Sequence, residues 1–281
     1  VKKAVRIGVV RSWRRTTPSP VVFVPTMGAL HEGHAALIRK ARKLAGAKGS
    51  VVVSIFVNPT QFGPKEDLTK YPRAFAQDRM ICKEEGADLL FHPTPAEMYA
   101  ADASVLVRES SLATGLCGAS RPGHFDGVCT VVAMLFNLIR PDLAVFGEKD
   151  WQQLAVIRRM VRDLRMPVKI VAHPTVREED GLALSSRNRL LTPEARRVAP
   201  RIHQALIATA MEAEEGERRV ARLRGGLVKE LAAIPGAVVD YAEILDGETL
   251  GSLKTAKPGT GVRIFAAVRL GSVRLIDNLP L

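Results

Sequence analysis

The chain has 281 residues, 47% of them apolar and 25% charged, with a formal net charge of +12 and three cysteines. That length supports one or two domains with a large core, and the balance is that of an ordinary globular chain, which excludes disordered and fibrous classes. No apolar run approaches a membrane span, the basic start does not read as a secretory leader, and three scattered thiols (Cys82, Cys117, Cys129) fit a reducing cytoplasm better than a disulfide framework.

The positive charge raises nucleic-acid binding as a hypothesis. The basic residues are dispersed, however, apart from an N-terminal group (Lys2, Lys3, Arg6, Arg11, Arg14, Arg15) that reads as an exposed helix or tail. Aromatics make up only 5% of the chain, which supplies few stacking platforms for single strands. Small polyanions are the expected partners, with no nucleic acid and no membrane.

In chain order, apolar runs at residues 21–24, 51–57, 88–91, 143–146 and 168–172 predict strands. Between them, residues 35–45, 74–85, 128–139 and 150–164 predict helices. Continuous apolar strands alternating with helices define an α/β class with a Rossmann-like parallel sheet covered on both faces. After Pro174 the pattern changes. Thr192-Pro193 opens a long helical stretch, with threonine as N-cap and proline at the first helical position. A second helix at 218–233 is followed by strand-like runs at 238–245, 262–270 and 273–276, the last two separated by the hairpin signal Gly271-Ser272. This predicts two domains, 1–174 and 175–281, the second a smaller α+β unit with an antiparallel sheet, and a site between them.

Five segments could carry chemistry. Thr26-Met-Gly-Ala-Leu-His-Glu-Gly-His34 follows the first strand and opens a helix. A helix start there offers backbone N–H groups and a positive dipole end to phosphate, and two imidazoles add donors. Zinc fits poorly, because His31-Glu32-Gly33-His34 is one residue short of the His-Glu-x-x-His spacing and no further ligand cluster follows. Asn58-Pro-Thr-Gln61 follows the second strand, where ligands bind in open parallel sheets. Its two amides could read a hydroxyl and a carboxylate, or form only a turn before proline. Gly147-Glu-Lys-Asp150 ends a later strand and enters a helix bearing Gln153. Gly147 permits close backbone approach, and a lysine at a helix start calls for a compensating anion. Leu184-Ser-Ser-Arg-Asn188 offers two hydroxyls and a guanidinium, either as a phosphate clamp or as a polar linker. Arg121-Pro-Gly-His124-Phe-Asp-Gly127 is a glycine-punctuated loop that could line a pocket, with His124 equally suited to a structural role. Asp78 falls near a helix start, as a capping charge or a Mg2+ ligand.

Taken together and in this order, these segments resemble the pantoate–β-alanine ligase family of the nucleotidyltransferases with a HIGH-like motif and a KMSKS-like loop. The resemblance extends to the Tyr71-Pro72-Arg73 step and the closing Leu275-Ile276-Asp277-Asn278, nearly the whole chain. It implies an ATP-dependent ligase that condenses pantoate with β-alanine through pantoyl adenylate, releasing pyrophosphate and then AMP. By resemblance, Met27, Gly28, Ala29, Leu30, His31, Glu32, Gly33 and His34 cradle ATP, as do Gly147, Glu148, Lys149, Asp150, Val176 and Leu184. His31 holds the nucleotide, His34 is the cationic proton donor, Lys149 stabilises charge at the α-phosphate, and Ser185, Ser186 and Arg187 hold pyrophosphate. Asn58, Gln61 and Gln153 bind pantoate. Mg2+ comes with ATP, with Asp78 as its candidate protein ligand. The chain departs from the family at Gln77, where an acidic residue is common, and at Ile81, which weakens protein-bound Mg2+. Thr60 replaces a common methionine. The family also implies a homodimer and closure of the C-terminal domain over the site. The nearest alternative is a related adenylate-forming enzyme acting on another small acid.

Overall fold

In the computed structural model, residues 1–63, 68 and 71–281 are described. Six parallel strands form one sheet: β1 (Lys2–Ala4), β2 (Val21–Thr26), β3 (Ser50–Ile55), β4 (Leu89–Phe91), β5 (Leu143–Gly147) and β6 (Lys169–His173). Their order is β1-β4-β3-β2-β5-β6. From β2 the chain builds outward first through β3 and then, after β4, on the other side through β5. The reversal therefore lies between β2 and β5, and ligands in open α/β sheets bind beyond the strand carboxyl ends at such a point.

The helices are α1 (Ile7–Thr16), α2 (Glu32–Ala45), α3 (Phe75–Glu84), α4 (Pro95–Met98), α5 (Leu116–Ser120), α6 (His124–Ile139), α7 (Trp151–Asp163), α8 (Pro193–Val198), α9 (Arg201–Glu214) and α10 (Val220–Ala232). α2 buries Ala35, Ile38, Ala41 and Ala45 along one stripe, of which Ile38, Ala41 and Ala45 share a core with Val22, Val24, Val51 and Val53 of the central strands. α6 is apolar on all sides and buried along nearly its whole length.

Two compact units emerge: residues Val1–Glu148 with Val156–Pro174, and Lys149–Ala155 with Thr175–Leu281. The second holds an antiparallel sheet of β7 (Ala237–Asp246), β8 (Val262–Leu270) and β9 (Val273–Pro280), in the order β7-β8-β9. Its even-numbered β8 residues Ile264, Ala266 and Val268 and its odd β9 residues Val273 and Leu275 join Ile202, Leu206, Leu223 and Leu227 of α9 and α10 in one core. Among the described residues, no helix is long and apolar enough to cross a membrane.

The parallel sheet, the helices between its strands and the C-terminal antiparallel sheet are as the sequence predicts. Three local features differ. The basic start contains not only the helix α1 but also the edge strand β1, whose Lys2 and Lys3 are exposed while Ala4 is buried. So short a segment, two of its three side chains charged, carries no strand periodicity, although short lysine-bearing edges suit a sheet border. The long helix expected after Thr192 breaks into α8 and α9 at Pro200, which stands at the N-cap of α9. The glycine-punctuated loop is helical from His124 onward. Gly127 lies inside α6 because a Cβ there would stand 2.6 Å from the Thr60 carbonyl. The glycine serves helix–turn contact, not a loop.

Candidate active site

In the first unit, β2 ends at Thr26, whose hydroxyl donates to the Ser54 carbonyl at 2.7 Å and accepts the Gly28 N–H at 3.2 Å. The chain then passes through two left-handed residues, Gly28 (φ +85°) and Ala29 (φ +52°). Alanine disfavours that region, and the carboxylate of Asp78 compensates: its Oδ2 accepts from Ala29 N–H at 3.0 Å and its Oδ1 from Leu30 N–H at 2.7 Å. Asp78 is 1% exposed. Both its oxygens thus hold the turn. Among the described residues no group of three or more His, Cys, Asp or Glu could hold a metal ion.

His31 is the N-cap of α2. Its Nδ1 accepts the Gly33 N–H at 3.2 Å, and its own N–H donates to Nδ1 of His34 at 3.3 Å. This is a capping box built from two histidines in place of the usual serine and glutamate. The rings stand 4.2 Å apart between centroids. An Nδ1 that accepts carries no proton, so each neutral ring is the Nε2–H tautomer. The donors at this helix start therefore differ from those expected. The N–H groups of Gly33, His34 and Ala35 go to His31 itself, and the imidazole donors outside the box are the two Nε2–H groups. With the box formed, the His34 ring is uncharged.

The turn after β3 is joined to this one. Gln61 Nε2 contacts Met27 Sδ at 3.2 Å. Asn58, 1% exposed, donates through Nδ2 to Gln61 Oε1 and to the Gly127 carbonyl at 3.1 and 3.2 Å. Its Oδ1 accepts from the Tyr99 hydroxyl at 2.7 Å and the Thr60 hydroxyl at 3.0 Å. Asn58 therefore orients Gln61. His124 Nδ1–H donates to the Gln61 carbonyl at 2.8 Å while its Nε2 accepts from Arg121 at 2.9 Å, so the Arg121–Gly127 motif fixes the Gln61 backbone. No spacing in the sequence ties Tyr99 to position 58. Burial pushes its phenol above the ordinary value, against the Thr60 and Asn58 hydrogen bonds, so it stays a donor. Burial also raises the Cys82 and Cys129 thiols to about 12, which removes both as nucleophiles.

Gly147 closes β5, and a Cβ there would meet nothing within 4 Å, so open space adjoins the backbone. Lys149 and Asp150 belong to a short 3-10 turn entering α7, and Lys149 Nζ lies 3.7 Å from Asp150 Oδ1. Residues 149–155 pack within the second unit. Trp151 Nε1–H donates to the Gly247 carbonyl at 2.7 Å, and the Arg263 guanidinium stacks 3.4 Å over the indole. Gln152 is buried, and Gln153, one residue on, is half-buried. Also in the second unit, Val176 accepts the Leu184 N–H at 3.0 Å and Arg177 bridges Ala183. Ser185 caps a 3-10 turn, Ser186–Leu190, accepting the Arg187 N–H at 3.3 Å. Asn188 ties the turn back to the Ala183 carbonyl and to Glu178.

Both the fold and these motifs have relatives. The family model for pantoate–β-alanine ligase matches residues 2–280. Pantothenate synthetase from Akkermansia muciniphila is 51% identical over 262 residues, 93% of this chain and 92% of the relative. That from Nocardioides sp. is 52% identical over 272 residues, covering 95% and 80%. The crystal structure of pantothenate synthetase from Thermus thermophilus superposes with a TM-score of 0.93 at 47% identity, covering 100% and 99%. The pantoate–β-alanine ligase of Francisella tularensis, crystallised with Beta-gamma ATP and β-alanine, superposes with a TM-score of 0.79 at 34% identity, covering 100% and 97%. The chain belongs to the pantoate–β-alanine ligase family. Its reaction is the condensation of pantoate with β-alanine.

Proposed function

We propose that the condensation runs through pantoyl adenylate, with ATP as co-substrate. A pantoate carboxylate oxygen attacks the α-phosphorus, the bond to the bridging oxygen breaks, and pyrophosphate leaves. The β-alanine amine then attacks the acyl carbon, the bond to AMP breaks, and the amine proton passes to solvent. The protein's part in the first step is positioning and charge stabilisation.

The observation that carries this reading is the two-histidine cap beyond β2, beside the reversal of strand order. His31 and His34 donate Nε2–H to phosphate oxygens, and His34 is the residue at the reacting centre. The backbone from Met27 to Gly33 supports the nucleotide. Gln61 reads pantoate, with Asn58 setting its orientation, and Gln153 contributes a second amide. Lys149 stabilises charge growing on the α-phosphate, with Gly147, Glu148, Asp150, Val176 and Leu184 against the nucleotide. Ser185, Ser186 and Arg187 take the departing pyrophosphate. Mg2+ travels on the ATP phosphates. Asp78 is engaged by two backbone amides and Gln77 brings no charge beside it, so no protein cage for the ion is assigned.

Detection of pantoyl adenylate by mass spectrometry when β-alanine is withheld tests the reaction course. Pantothenate formation without pantoate-dependent exchange of pyrophosphate into ATP would overturn it. A homodimer in the cytoplasm completes the proposal: the three cysteines are buried thiols outside any disulfide, as suits a reducing compartment. Light scattering at a single chain mass of 30.5 kDa would remove the dimer.

A further inference from the structure

The reaction above assigns no role to the closing Asp277-Asn278 dipeptide. It sits on β9, where adjacent side chains project to opposite faces of the sheet. Asp277, on the face packed by α9 and α10, is bound by both ends of the Arg177 guanidinium at 2.7 and 2.9 Å. Arg177 also donates to the Gly181 carbonyl at 3.1 Å, and its own backbone bridges Ala183, two residues before Ser185. On the opposite face, Asn278 donates Nδ2–H to the Lys149 carbonyl at 2.9 Å and accepts from Arg263 Nε at 2.8 Å. That same Arg263 stacks on Trp151, two residues beyond Lys149. The two residues are themselves coupled, since the Asn278 N–H donates to Asp277 Oδ1 at 2.8 Å. They are 6% and 4% exposed.

We infer that Asp277 and Asn278 are positioning residues for the adenylation step: through the two faces of one strand they fix the backbone of Lys149 relative to the loop carrying Ser185, Ser186 and Arg187. The physical need is plain. Transition-state charge is stabilised by donors already in place, and displacing a charged group by about 1 Å costs on the order of 10²-fold in rate. A bidentate guanidinium–carboxylate pair with a buried carboxylate and a side-chain bond to a backbone carbonyl are stiff connections, more so than a loop held by its own turns. Asp277 and Asn278 touch neither nucleotide nor acid in this scheme; they act through Lys149 and the 176–188 loop. The inference rests on the roles proposed above for those two elements.

Asn278→Asp is the specific test. It keeps the shape and the Arg263 partner but replaces the donor toward the Lys149 carbonyl with an acceptor. The expected result is a fall of roughly 10²-fold in kcat for pantoate-dependent pyrophosphate–ATP exchange. The KM for pantoate and the rate at which β-alanine consumes separately supplied pantoyl adenylate should stay within about twofold of the parent, a split that general loosening would not produce. In the double variant Asn278→Asp/Lys149→Ala, the two losses should not multiply, because both act on one group. Asp277→Asn, paired with Arg187→Ala, provides the same comparison on the other face, and the unfolding midpoint of each variant is measured alongside. Wild-type exchange in Asn278→Asp, or fully multiplicative losses in both cycles, overturns the inference. If Lys149→Ala alone retains normal exchange, the failure lies instead with the catalytic role of Lys149.

Discussion

Replacing Asp78 with asparagine separates a structural carboxylate from a metal-binding one. The native side chain meets two backbone donors, Ala29 N–H at 3.0 Å and Leu30 N–H at 2.7 Å. Asparagine can accept one of them; the other N–H then faces an amide NH2, in a site closed to water. Hydrogen bonds to a charged group are worth about 1.5–3 kcal/mol, and a buried unmatched donor costs a similar amount. The loss is therefore about 2–3 kcal/mol, or roughly 4–12 °C in the unfolding midpoint of a domain of this size. Since the same two amides hold the left-handed residue before His31, the cap should shift and adenylation should fall on the order of 10²-fold. Urea titration with and without Mg2+, together with pyrophosphate exchange, reads both effects. A variant within about 0.5 kcal/mol of the parent whose activity returns with excess Mg2+ would refute the reasoning and make Asp78 a metal ligand; an Mg2+-independent loss of stability supports it.

Other substitutions probe the rest of the site. His34→Ala and Lys149→Ala should remain folded, with the first losing about 0.5–2 kcal/mol of cap energy. Both should lose roughly 10²–10³-fold in adenylate formation, and near-normal turnover in either removes that residue from the step. Gly127→Ala drives a methyl group to 2.6 Å from the Thr60 carbonyl; it should cost about 1–3 kcal/mol and raise the KM for pantoate more than that for ATP, as steady-state kinetics in both substrates would show. His203 has its pKa lowered by burial and by the Arg177 cation, against the opposing Asp277 carboxylate. The unfolded chain therefore takes up this proton first as pH falls. The corresponding stability is fully present above about 6.5 and is lost as pH drops through the lower folded-state value. His203→Gln should flatten the stability profile below about pH 6.5 in urea midpoints; an unchanged slope would assign that slope to other groups.

The elements legible in the sequence were those whose own residues declare them. β2 and β3 are valine-rich runs, and α2 shows its buried stripe at Ile38, Ala41 and Ala45. The turns beyond β2 and β5 announced themselves through glycine, histidine and lysine at strand–helix junctions. What stayed hidden depends on partners distant in the chain. Asp78 looked like a capping charge or a metal ligand because its partners, Ala29 and Leu30, lie far earlier in the chain and contribute only main-chain amides. Tyr99 binds Asn58 through a hydroxyl that no local pattern flags. His124 serves the Gln61 backbone, a bond invisible to residue-type reasoning. The tautomer of the histidine pair follows only from geometry. Nothing in residues 149–155 signals that they pack with the C-terminal sheet.

That last attachment bears on how the protein can be divided or exchanged. A fragment starting at Thr175 omits Trp151, leaving Arg263 without its stacking surface and the Gly247 carbonyl without its indole donor. A chimera spliced at the same point would join a C-terminal sheet from one parent to a 149–155 segment from another, and mismatch there would strike the lysine's own support. The C-terminal unit is therefore not a transplantable module as a single contiguous stretch. Recombination between relatives should succeed when residues 149–155 and 175–281 are inherited together.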